Sequence, residues 1–138
     1  MSLFTVFDIA GSGMRAQNVR LNLTASNLAN ADSIGTNAEE VYRARHPVFA
    51  SILSNERGTG AAASGVATIG VIESQVEPPK RFEPGNPLAN EEGYVFGSNV
   101  DTIEEMTNMI SASRSYQTNV ELMNTSKRML LETLKIGQ

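Results

Sequence analysis

The chain has 138 residues, room for a single domain, and its 41% hydrophobic content includes only 6% aromatics and no tryptophan, so few large side chains are available to fill a globular interior. A net charge of −4, from 15 acidic and 11 basic residues scattered along the chain, leaves no basic stripe for nucleic acid or an anionic membrane. The absence of cysteine removes disulfides, thiolate nucleophiles and thiolate metal ligands together.

The first residues, MSLFTVFDIAGSGMRAQ, lack a basic leading region and carry Asp8 inside the apolar stretch, so they do not read as a Sec signal peptide. No apolar run approaches the roughly 20 residues of a transmembrane helix. From about residue 3 to 30 the pattern is helical: Phe7, Met14, Leu21 and Leu28 fall seven apart, with Leu3, Ala10, Gln17 and Thr24 between them. This helix is expected to end near Asn30, where Asp32, Ser33 and Gly35 supply turn residues and Gly35 can take a left-handed conformation.

Between about 31 and 100, Val and Ile alternate with polar residues and Gly and Pro are frequent, which predicts loops and short strands. EVYRARHPVFAS (40–51) is extended and confined to a sheet edge by Pro47; GVATIGVIESQVE (65–77) reads as a strand; EPGNP (83–87) as a tight turn; GYVFG (93–97) as a short strand. NERGTGAAASG (55–65) is of low complexity and flexible in isolation. A second, longer helix comes after NVDTIEEM, where Asp101 or Thr102 can cap the free amides and Glu104 and Glu105 complement the positive end of the dipole. Its line is Met109, Tyr116, Met123 and Leu130, flanked by Met106, Ser113, Val120, Lys127 and Leu134.

Helices of about 28 and 34 residues reach roughly 40 and 50 Å, long for a compact domain of this mass, and are expected to pair lengthwise. The predicted fold is therefore mainly α: an antiparallel coiled coil of N- and C-terminal helices with a small loop and β-strand insert. Its segments are 1–32, 33–98 and 99–138, the first and last acting as one unit. Gln17, Thr24, Ser113 and Lys127 stand where an isolated coiled coil would place Leu or Ile, and Asn18, Asn22, Asn27 and Asn30 are modest helix formers. Such helices are marginal alone and suit packing among many copies. A free-standing coiled-coil secretion chaperone is the alternative on these grounds.

The stretch ASNLANAD (25–32), together with GYV and NVDTIEEMTNMISASRSYQTNVELMN (99–124), resembles the terminal signatures of the bacterial flagellar rod and hook axial protein family. FDIAGSGM, YRARHPVF and EPGNPLA resemble its proximal-rod, FlgC-type branch, and SASRSYQTN (111–119) favours that branch over other proximal-rod subunits of similar length. The resemblance covers almost the whole chain. It implies a structural subunit of the basal-body rod, which polymerises helically with itself and with other proximal and distal rod proteins into a drive shaft and export channel. It also implies a site in the rod crossing the periplasm, export through the flagellar type III apparatus and its export-gate junction without a Sec signal, and no cofactor.

Candidate helix-seam residues are Phe7, Met14, Leu21, Leu28, Met109, Tyr116, Met123 and Leu130. Candidate subunit-interface residues are Asn27, Asn30 and Asp32, whose short side chains can bond neighbouring backbones, and Arg114, Tyr116, Gln117 and Asn119. Catalysis is not expected. His46 is the sole histidine, GSG (11–13) lacks the rest of a dinucleotide or phosphate-loop motif, and the pairs Glu39/Glu40, Glu91/Glu92 and Glu104/Glu105 are sequence neighbours that diverge rather than converge. They read as solvated or capping charges, and His46 as a surface or contact residue.

Overall fold

A computed structural model of the chain describes residues 3–54 and 63–136; of the low-complexity run over 55–65, residues 55–62 lie outside them. The elements in order are α1 (Leu3–Ala29), β1 (Ile34–Gly35), β2 (Arg45–Ser54), β3 (Ala63–Glu73), β4 (Lys80–Phe82), β5 (Tyr94–Gly97) and α2 (Thr102–Ile136). β2 and β3 form one antiparallel sheet, and β1, β5 and β4 form a second, with β5 central.

The expectation of a mainly α coiled coil with a small insert is corrected by this architecture. About 50% of the structure is helix and 22% strand, and the segment between the helices builds two sheets of its own. The reason lies in 65–77, whose alternating Val and Ile recruit residues 45–54 into a hairpin rather than a loop. That hairpin occupies a second face of α1, so α1 is shared between a helix and a sheet.

The start of α2 and the end of α1 rest on side chains. Asp101 Oδ1 accepts from the amides of Ile103 at 2.9 Å and Glu104 at 3.1 Å, an N-cap that sets the start of α2. At the end of α1, Asn30 donates through its amide nitrogen to the Ser26 carbonyl at 2.8 Å and closes the last turn. Gly35 is not the left-handed residue expected there. It pairs with Phe96 in the second sheet, and the positive φ belongs to Gly93, at 81°, where a Cβ would lie 3.0 Å from the Phe82 ring and 3.2 Å from Pro84.

The helices run antiparallel and close. Arg20 donates to Asn108 Oδ1 at 2.6 Å, and a Cβ at Gly13 would sit 2.9 Å from Asn119 Nδ2. The buried residues are small or polar: Ala10, Ala16 and Thr24 on α1, and Ala112 and Ser126 on α2. The bulkier Met14, Leu21, Leu28, Met109, Met123 and Leu130 stand half-buried beside them. On α2 the flanking ridge differs from expectation: Met106, Lys127 and Leu134 are exposed, and Glu105, Ala112 and Ser126, spaced by seven or fourteen, are buried in their place. Small side chains let the two backbones approach more closely than a leucine seam would.

The hairpin is pinned to α1 at two points. Ser12 Oγ accepts from the Val66 amide at 3.1 Å near one end, and Asn27 bonds Arg45 near the other. Val66 faces Ser51 across the hairpin. The pins are 15 residues apart on α1 and six apart on β2 from 45 to 51, spans of roughly 22 Å and 20 Å at helix and strand rises. The matching lengths lay β2 and β3 along the helix. A register shift between Val48 and Phe49 leaves Ile69 unpaired as a bulge.

Gly13→Leu is expected to force the helices apart and cost about 1–3 kcal/mol in urea unfolding. Unchanged stability would show that α1 and α2 do not touch at this point.

Candidate assembly interface

The junction of α1, β2 and α2 centres on Asn27, whose side chain is fully buried at 0% exposure. Its Nδ2 donates to the Arg45 carbonyl at 2.9 Å, and its Oδ1 accepts from the Arg45 amide and from the Tyr42 hydroxyl, both at 2.9 Å. An amide can satisfy both backbone groups of one residue at once, and Asn27 does so at the first residue of β2. The Tyr42 hydroxyl lies a further 3.1 Å from Ser26 Oγ. Asn99 extends the network: its Oδ1 accepts from the Ala44 amide and its Nδ2 donates to the Val76 carbonyl, both at 2.8 Å.

The sequence-predicted residues divide by environment. Asn27 and Asn30 bond within the chain, and Asn119 faces Gly13 of α1. Asp32 is exposed, as are Arg114 and Gln117 on α2. Phe7, Leu21, Leu28, Met109 and Leu130 are half-buried. Met14, Tyr116 and Met123 come together with Gly11, Arg15 and Asn18 around an open groove of about 400 Å³ between the helices.

Glu105 departs most from its sequence reading. Glu104 is exposed, but Glu105, expected as a solvated or capping charge, is only 3% exposed. Burial raises its carboxyl above the ordinary glutamate range, against the opposing influences of Asn27, His46 and Arg20. Sequence reasoning does not single out Ser12, Tyr42, Asn99 or Glu105 as site residues. The available signal is spacing: Glu105, Ala112, Asn119 and Ser126 repeat every seven residues, a small and polar line beside the Met–Tyr line.

Two faces present large apolar side chains to solvent. One is the hairpin, with Ile69 66% and Ile72 57% exposed; the other is the first turns of α2, with Ile103 76% exposed beside Met106 and Ile110. Among the described residues no group of His, Cys, Asp or Glu could hold a metal ion, and no helix is long and apolar enough to cross a membrane.

Known proteins with the same features are flagellar. A family model described as flagella basal body rod protein matches residues 7–38, and one described as the C-terminal part of the flagellar basal body rod FlgEFG proteins matches residues 91–136. The flagellar basal-body rod protein FlgC of Escherichia coli O6:H1 is 52% identical over 138 residues, covering all of both chains. This chain belongs to the FlgC family of flagellar basal-body rod proteins. The Salmonella typhimurium relative is 51% identical over the same length, and that of Bacillus subtilis 36% identical over an alignment of 152 positions, again covering both chains in full. The chain is thus a structural subunit of the flagellar basal-body rod, assembling with other rod components in the basal body. The chaperone alternative finds no support among these relatives.

Replacing Asn27 by Ala strands the Arg45 amide and carbonyl and leaves the Tyr42 hydroxyl only its Ser26 partner, and is expected to lower stability by about 2–4 kcal/mol in chemical unfolding. Hydrogen exchange should show the Arg45 amide losing its protection. Retained protection would mean that the amide has another acceptor.

Proposed function

We propose that this chain builds the proximal part of the rod. Copies of it and of other rod proteins polymerise helically, the terminal helices line an export channel, and the shaft passes torque towards the hook. In this reading the subunit travels through the flagellar type III export apparatus, meets the export-gate junction, and takes its place in the rod across the periplasm. Its partners are then further copies of itself and the proximal and distal rod subunits.

The observation that carries the reading is the exposed apolar surface of the hairpin and of the first turns of α2. A monomer gains nothing from Ile69, Ile72, Ile103, Met106 and Ile110 in water, whereas a helical polymer needs unlike patches that bind one another and buries them on assembly. The polar α1–α2 seam fits the same role. Its small residues hold a close helix pair while the larger apolar side chains remain at the edges, available to neighbours.

Ile72→Asp changes an exposed residue and is expected to leave folding within about 0.5 kcal/mol of wild type. Expressed in cells lacking their own copy, it should give few completed rods in purified basal bodies and little swimming. Wild-type rod numbers would remove the hairpin face from the interface.

Arg114 is the second probe, because its exposed guanidinium can make paired, charge-assisted bonds to a neighbour's carboxylate or carbonyls. Arg114→Lys keeps the charge and loses the planar fork. Export of the variant should be normal and rod counts reduced; normal counts would leave Arg114 a solvated helix residue.

A further inference from the structure

Glu105 and His46 sit where the first turn of α2 meets the first strand of the hairpin. Glu105 Oε1 lies 4.0 Å from His46 Nδ1, and Oε2 is buried without a hydrogen-bond partner. The histidine side chain is 41% exposed, so the pair has one dry end and one end open to solvent. A shift of about 1 Å would bring carboxyl and imidazole to hydrogen-bond length.

The charged groups around the carboxyl come from every element packed there. From α1, Arg20 approaches, but its guanidinium is engaged by Asn108 Oδ1 at 2.6 Å. Asn27, also from α1, bonds Arg45 through both ends of its amide, and its hydrogen-bonding influence on Glu105 favours the carboxylate, though less than burial disfavours it. β2 contributes His46, and α2 contributes the exposed Glu104, whose like charge adds to the burden. A buried carboxylate with an orphan oxygen is tolerated when a proton neutralises it or when a cation faces it directly. Among the described residues, His46 is the titratable side chain that lies nearest the Glu105 carboxyl.

We propose that Glu105 and His46 form a proton-held latch that fastens the first turn of α2 to the base of the β2–β3 hairpin, closed while the pair retains a proton and loosened when that proton is lost. Protonated, the carboxyl is neutral and tolerated in its dry site against His46, and the junction stays shut. With the proton gone, a bare carboxylate is left in a dry site, and the favourable response is for α2 to lift its first turn towards water.

The folded state holds the proton more tightly than the unfolded chain, whose glutamates titrate near 4.5. The stability contributed by the latch is therefore complete below that value and is lost as pH rises through the higher folded-state value. Only a proton moves, so the effect reverses when the pH is returned.

The direct test is a ¹³C titration of the side-chain carboxyls in the full-length chain, repeated with Glu105→Gln and His46→Gln. Glu105 is expected to titrate above the exposed glutamates, and higher still in His46→Gln, where the balancing imidazole is gone. Amide protection at residues 44–46 and 103–107 should fall as pH rises above 4.5 in the wild type and stay level in Glu105→Gln, which keeps the shape without the charge. Glu105 titrating among the exposed glutamates would overturn the latch, as would protection in Glu105→Gln that falls with pH as in the wild type.

Discussion

The amide of Asn27 ties a helix to a strand by answering both backbone groups of Arg45 together. The placement of the hairpin depends on that bond pattern. It fixes where β2 begins, and with Ser12 at the other end it sets the line along which the hairpin lies on α1. With α1 covered on one face by strands and on another by α2, the three elements form one body although the buried apolar side chains among the described residues are only alanines and two valines. The cost of burying so much polarity is offset because the groups find partners: Asn27, Tyr42 and Asn99 each bond at least two others.

The same economy explains the surface. Ala10, Gly13, Ala112 and Ser126 bring the helices together at short range, which leaves side chains such as Met14, Tyr116 and Met123 at the edges of the contact rather than inside it. A chain built in this way folds on small residues and hydrogen bonds and keeps much of its apolar bulk for neighbours. The consequence is an ordered subunit with uncovered faces, suited to a shaft in which each copy completes the next.

The two helices are legible in the sequence because long periodic segments with caps are strong local signals: Asp101 caps α2, and α1 ends at Ala29, next to Asn30. The strands at 63–73 and 94–97 are visible through alternation and flanking glycines. β1 and β4, of two and three residues, are not, since pieces so short carry no period and exist only because β5 lies between them. The balance between helix and sheet is hidden for a related reason. Periodicity reports which face is apolar, but not that α1 serves a sheet as well as a helix. Asn27 stands out as an amide suited to bonding backbones, yet its partner lies in the same chain, 18 residues on, a distance local patterns do not reach. Glu105 is masked by its neighbour, because paired glutamates in a first helical turn ordinarily face water.

Imaging the subunit at side-chain resolution inside an intact basal body tests the central claim most directly. The account predicts that Asn27 still bonds both backbone groups of Arg45, with the hairpin lying along α1, while the Ile69/Ile72 face and the first turns of α2 are covered by neighbouring subunits. A subunit whose hairpin has swung off α1 to pair elsewhere, or whose two apolar faces remain open to solvent in the assembled rod, would contradict it.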